Sequence, residues 1–160
     1  GGWDRLHCWT NPPLHLLEAE IAPHADWAIF HALISPKLEL REVEHEALGG
    51  GKHFVRLVLE NSGWLPTNVS ERAVQRKACR GIEVTLTLPD GARVVGGEPK
   101  ADLGQLAGRH MKRNMLGWRA DDSTTERTKA EWVIEAPGGG TLLIEAKHQR
   151  AGVVRTSVEL

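Results

Sequence analysis

His15 and Glu18 stand three residues apart in a stretch that reads as helix, a spacing that puts an imidazole and a carboxylate on one face. With a third ligand from elsewhere such a pair could hold a zinc ion, which would acidify a bound water. A small zinc enzyme built on His15 and Glu18 is therefore one reading. The simpler one is a solvated pair, because Leu14 and Leu17 belong to the apolar stripe and the two polar residues flank it on the solvent side. Among eight histidines, two residues at one defined spacing recur by chance. His7, His24 and His31 lie in the same region and read as surface or hydrogen-bonded core histidines. No CxxC, no HExxH and no finger-spaced pair accompanies them. No Ser/His/Asp arrangement stands out either. The sequence thus assigns this chain no catalytic residue, no cofactor-binding residue and no metal ligand of its own.

Other candidates are weaker. Asn68-Val69-Ser70 matches a glycosylation acceptor, which matters only in a secreted eukaryotic chain. Arg109, His110, Lys112 and Arg113 form a basic cluster beside Met111, Met115 and Trp118, suited to a phosphate or acidic partner, or simply to a solvated loop. Six tryptophans and no tyrosine raise a carbohydrate platform, but Trp27 and Trp132 fall on apolar faces, leaving Trp64 and Trp118 to face solvent. The glycine-containing stretch Gly96–Gly108 lacks the Lys-Ser/Thr that a phosphate loop requires.

The elements that would carry these residues change character near Pro36. From Pro13 to Ser35 the apolar residues Leu14, Leu17, Ile21, Ala25, Ala28 and Ala32 recur at helical spacing, widened by Trp27, Phe30 and Ile34. Asn11 is a plausible cap, Pro12 or Pro13 suits the first turn, and Pro23 predicts a kink or restart. From Lys37 onward the period becomes two. Ile82, Val84, Leu86 and Leu88 alternate with polar residues, as do Val55, Leu57 and Leu59, then Trp132 and Ile134, then Leu142, Ile144 and Ala146. Leu38 and Leu40 open a first strand and Val154 to Leu160 form a last one. Weaker strands are expected at Val94-Val95 and Leu103–Leu106. Gly49-Gly50-Gly51, Pro89-Asp90-Gly91, Pro137–Gly140 and Ala151-Gly152 supply the turns. Ala107–Lys129 lacks a period and reads as a long loop. Asn61–Thr67 is expected to form an ordered turn at a strand end and to carry no catalysis, with Gly63 and Pro66 setting its path and the Asn61 side chain bonding local backbone.

The 160 residues carry 20 Lys+Arg against 21 Asp+Glu, a balance that argues against a dedicated nucleic-acid binder. Residues 1–36 hold Asp4, Glu18, Glu20 and Asp26 against Arg5 alone, a net of -3, so residues 37–160 carry +2. No apolar run reaches the roughly 20 residues of a membrane helix. Cys8 and Cys79 are too few for a disulfide scaffold. The start at Gly1-Gly2-Trp3, with no initiating Met, predicts the C-terminal piece of a longer protein, whose localisation signal would lie in the missing part.

Two motifs add a family resemblance. Gly1-Gly2-Trp3-Asp4, then Asn11-Pro12-Pro13 and Leu17-Glu18, resembles the end of the catalytic domain in a bacterial branch of the zinc carboxypeptidases. Leu57-Val58-Leu59-Glu60-Asn61-Ser62-Gly63-Trp64-Leu65-Pro66-Thr67 is similar to a signature of the β-sandwich that follows the peptidase in that branch. Leu103–Gly108, Glu131–Ile134 and Arg150-Ala151-Gly152 extend the likeness over nearly the whole chain. The resemblance implies a parent that hydrolyses C-terminal peptide bonds with a zinc ion held by an early HxxE pair and a later His, a Glu as general base, and an Arg for the substrate carboxylate. All of these would lie before Gly1, and His15 and Glu18 do not inherit the ligand role.

The resulting expectation is mainly β: an immunoglobulin- or transthyretin-like sandwich of seven to eight strands over residues 37–160, preceded at 1–36 by an amphipathic helix from the end of a peptidase domain. The implied partners are the upstream catalytic domain and, through it, a peptide substrate. Zinc belongs to the parent and none to this piece. The alternative is a stand-alone β-sandwich that binds a carbohydrate or a protein.

Overall fold

The period-two alternation is realised as eight antiparallel strands in two sheets. They were traced in a computed structural model that describes residues 2, 4–6, 11–109 and 124–160. The strands are β1 (Leu38–Gly49), β2 (Lys52–Asn61), β3 (Glu83–Thr87), β4 (Arg93–Gly96), β5 (Lys100–Asp102), β6 (Arg127–Glu135), β7 (Thr141–His148) and β8 (Gly152–Glu159). One sheet has the order β1-β2-β6-β4 and the other β5-β3-β7-β8. The described chain is thus mainly β, with one long helix ahead of the strands.

The core lies between the inner faces of the sheets. Val55, Leu57 and Leu59 of β2 stand opposite Trp132, Ala130 and Thr128 of β6. Val84 and Leu86 of β3 stand opposite Ala146 and Ile144 of β7. Leu59, Val84, Leu86, Trp132 and Ile144, all expected inside, are buried, whereas Thr85 between two of them is exposed. The indole of Trp132 meets its one polar need by donating Nε1–H to the Glu98 carbonyl at 2.8 Å. The outer face of the first sheet carries ion pairs across its strands. Glu60 accepts from Arg41 at 3.0 Å and from Arg127 at 3.2 Å, and the bulge between Leu40 and Glu42 sits where Arg41 meets this pair.

Three details depart from the sequence reading. Leu103–Leu106 is not a strand: the strand of that region is Lys100–Asp102, and beyond it the Leu103 N–H donates to the Ile82 carbonyl and the Ile82 N–H to the Gly104 carbonyl, each at 2.9 Å. A short helix, α2 (Glu71–Gln75), was not expected. Ser70 caps it by accepting the Ala73 N–H at 3.2 Å, a role for which a hydroxyl ahead of an acidic first turn is well suited. The long helix, α1 (Leu17–Ile34), begins four residues after Pro13, and of the kink or restart expected at Pro23 the restart does not occur, since Pro23 lies inside one element. Asn11 instead donates to the Leu6 carbonyl at 3.3 Å.

The chain divides into two compact units, Gly1–Ile34 and Ser35–Leu160. In the first, no residue of α1 is buried, and Leu33 is 75% exposed and Trp27 58%. Trp27 stacks on Phe30 at 5.7 Å between centroids and meets the His31 ring at 4.4 Å. None of the described helices is long and apolar enough to cross a membrane.

Candidate functional site

β2 ends in a polar residue with nowhere to meet water. Asn61 is 1% exposed, so each of its side-chain hydrogen-bonding positions needs a protein partner. All are met. Oδ1 accepts the Lys37 N–H at 3.0 Å and the Gly63 N–H at 3.1 Å. Nδ2 donates to the Leu65 carbonyl at 2.8 Å and the Ala107 carbonyl at 3.0 Å. The amide thereby joins the start of β1, the turn after β2 and the segment that follows β5.

Six residues on, Thr67 is fully buried and works in the same way. Its Oγ1 accepts the Leu106 N–H at 2.8 Å and donates to Gln105 Oε1 at 2.7 Å. Its main-chain N–H returns a bond to the Leu106 carbonyl at 2.9 Å. Gln105 carries the network onward through Nε2, to the Arg80 carbonyl at 2.7 Å and the buried Cys79 sulfur at 3.1 Å. Arg109 closes the loop from the other side, its N–H bonding the Gly63 carbonyl at 3.0 Å.

Two glycines are required by close approach. A Cβ on Gly63 would stand 2.2 Å from the Ser35 carbonyl oxygen, and one on Gly108 2.0 Å from that of Trp64. Asn61–Thr67 is therefore the ordered turn that the sequence predicts. It is braced more heavily than expected, because the partners of Asn61 and Thr67 come from residues up to 46 positions away. Above this knot the loop presents Trp64, 54% exposed, with Leu65 and Val69 also exposed.

A second buried polar group lies at the end of β7. His148 is 3% exposed, and its Nδ1 accepts the N–H groups of Arg150 and Ala151, each at 3.2 Å. Those bonds shape the β7–β8 turn, whose Ala151 carbonyl accepts the Leu38 N–H at 2.8 Å. Burial holds the imidazole below its ordinary range. The Arg80 main chain opposes this, the Arg150 charge adds to it, and the Asp102 charge opposes it.

The sequence candidates fare differently. His15 lies exposed in the turn ahead of α1 and Glu18 lies exposed in its first turn. His24 is exposed. Ser70 of the Asn68-Val69-Ser70 tripeptide caps α2. His7, Cys8, His110, Met111, Lys112, Arg113, Met115 and Trp118 lie outside the described residues. Among the described residues no three His, Cys, Asp or Glu side chains stand together as a metal site. Sequence reasoning missed Gln105, His148 and the facing pair His45 and His53. The only signal for the pair was the Gly49-Gly50-Gly51 turn between them, which makes them hairpin neighbours.

This fold and this site define an antiparallel β-sandwich domain with an internally braced loop at one strand end. Residues 37–159 match the family described as Domain of unknown function (DUF8731), and the chain belongs to that family. The chain is also similar to the polyketide synthase GfsE of Streptomyces halstedii, 33% identical over 96 residues. That match covers 60% of this chain but spans only 2% of the relative's length. Among solved structures, superoxide reductase in the oxidized state is similar over 78% of this chain and 89% of its own, at 19% identity and a TM-score of 0.37.

Proposed function

We propose that residues 37–160 are the accessory β-sandwich of a zinc-dependent metallocarboxypeptidase, a domain that buttresses a neighbouring catalytic domain or shapes access to its site and carries none of its catalytic groups. One observation supports this reading above others. Leu57–Thr67, the segment that resembles the sandwich signature, uses its buried polar side chains for bonds inside the sandwich and turns the apolar surface of Trp64 and Leu65 outward. A loop so braced is suited to holding a contact surface in place and unsuited to moving protons. Exposed apolar surface of this kind commonly meets a partner. In this reading the zinc, the general base and the arginine for the substrate carboxylate belong to the neighbouring domain. The ligand role is not carried over to His15 and Glu18, and no step of the hydrolysis is assigned to this chain.

The exposure of Trp64 also favours a second reading, a stand-alone module that stacks a sugar ring or a protein side chain on the indole. One experiment separates the two. An antibody to the sandwich isolates the polypeptide that carries it from the cells that make it, followed by intact mass and assay of C-terminal residue release from peptides. The first reading expects a polypeptide longer than these 160 residues with chelator-sensitive release. A native polypeptide that releases no C-terminal residue but binds oligosaccharide or protein, with binding lost in Trp64→Ala, would replace the first reading with the second.

A further inference from the structure

We propose that His45 and His53 form a two-histidine site for a divalent first-row metal ion on the β1–β2 hairpin, separate from the zinc of any catalytic domain and independent of the functional reading above. The two residues are eight apart in sequence, and the hairpin brings them together. His45 stands opposite Val55 and His53 opposite Ala47, so they are diagonal neighbours on one face, within reach of long side chains. That face is the one on which Val43 and Val55 point to the core. His45 is exposed and His53 half-buried, and the contact between them lies at the surface.

The geometry suits a shared ion. His45 Nε2 and His53 Nδ1 lie 3.0 Å apart, with ring centroids at 5.2 Å. Two imidazole nitrogens bound to one ion at ~2.0–2.1 Å, at roughly 90–110° to each other, are themselves about 2.9–3.4 Å apart. The observed separation falls within that window. In the metal-free form the two nitrogens share one hydrogen bond, so one of them carries a proton. Metal binding moves that proton to the far nitrogen of the same ring, leaving both facing lone pairs available, and tilts the rings so that the lone pairs converge. Each histidine keeps one N–H and stays neutral.

The strand ladder supplies the order that a flexible pair would lack, because both Cα positions are fixed by pairing within β1 and β2. Glu44 and Glu46 point to the opposite face of β1, where Glu44 pairs with Arg56, so no carboxylate of β1 competes for the imidazoles. Neutral imidazole suits copper, nickel and zinc, with copper bound most tightly of the divalent series. Water would fill the remaining positions, which makes this an open, exchangeable site.

The test is titration of the whole chain with Cu²⁺ near pH 7.5, read by calorimetry and by electron paramagnetic resonance, with Zn²⁺ titration followed by NMR of the histidine ring nitrogens. One equivalent of Cu²⁺ with a two-nitrogen hyperfine pattern is expected. His45→Gln and His53→Gln should each weaken it at least tenfold, and His15→Ala should leave it unchanged. Zn²⁺ should shift His45 Nε2 and His53 Nδ1 first, a readout in the unsubstituted protein that no folding defect can mimic. Undiminished copper binding in both glutamine variants, or a zinc response confined to other histidines, would overturn the proposal.

Discussion

The side-chain amide of Asn61 donates to the main-chain carbonyl of Ala107 at 3.0 Å, across 46 residues of sequence. That bond ties the end of β2 to the segment after β5, and the same amide holds Lys37, Gly63 and Leu65. Asn61→Ala strands two N–H groups and two carbonyls at once. Urea unfolding should show a loss of about 2–4 kcal/mol. A loss under about 1 kcal/mol would mean that water replaces the amide without cost and that the knot is not a brace.

Gly108 tests the same brace by sterics alone. Its missing Cβ would sit 2.0 Å from the Trp64 carbonyl oxygen, a contact that only backbone movement can relieve. Gly108→Ala should cost roughly 1–3 kcal/mol and shift the fluorescence of Trp64 as the loop moves. Gly138 has nothing within 4 Å of its Cβ position, so Gly138→Ala is the control and should change stability by less than about 0.5 kcal/mol. Equal effects at both positions would contradict the close approach.

His148 makes stability depend on pH. Its imidazole is held below the ordinary range chiefly by burial, so the unfolded chain binds a proton more readily than the folded one. The neutral ring accepts the Arg150 and Ala151 N–H groups, and a protonated Nδ1 cannot. Its contribution is therefore complete above the unfolded value near 6.5 and declines as pH falls from there toward the lowered folded value. His148→Asn places a non-titrating acceptor at the position of Nδ1. Thermal unfolding between pH 8 and 5 should show a smaller acid loss for that variant than for the parent, although the variant starts less stable. Parallel pH profiles would refute the assignment.

The two units make the last prediction. Removing residues 1–34 deletes α1 and keeps Ser35 and Pro36, whose backbone packs against Gly63. The core is built from residues beyond that cut, so the shortened chain should unfold cooperatively with strand-dominated circular dichroism. The exposed apolar side chains of α1 would each gain roughly 1.5–3 kcal/mol on burial, so any concentration-dependent association of the whole chain should vanish with the deletion. Loss of cooperative unfolding in the shortened chain would make the helix integral to the β fold.

Alternation was enough to read the sandwich from sequence. A strand shows its two faces to different solvents, so Val84 and Leu86 between Glu83, Thr85 and Thr87 declare which side is buried before any partner is known. The ordered turn at Asn61 was legible from local chemistry too, since Gly63 frees the backbone for a turn and Pro66 fixes its exit. The helix that Ser70 caps went unread, because five residues are too few to show a period. What the sequence could not show was pairing at a distance. Nothing in Leu103–Leu106 distinguishes a strand from a segment whose bonds go to Ile82 and Thr67, because that choice is made by what lies alongside. The partners of Asn61, the bracing role of Gln105, the burial of His148 and the meeting of His45 with His53 are all set by strand register and chain crossing. Composition and periodicity therefore determined that this chain buries a β core and where its turns fall. Only the tertiary structure decided which polar groups are shut away from water, and a polar group's chemistry depends on the partners it finds there.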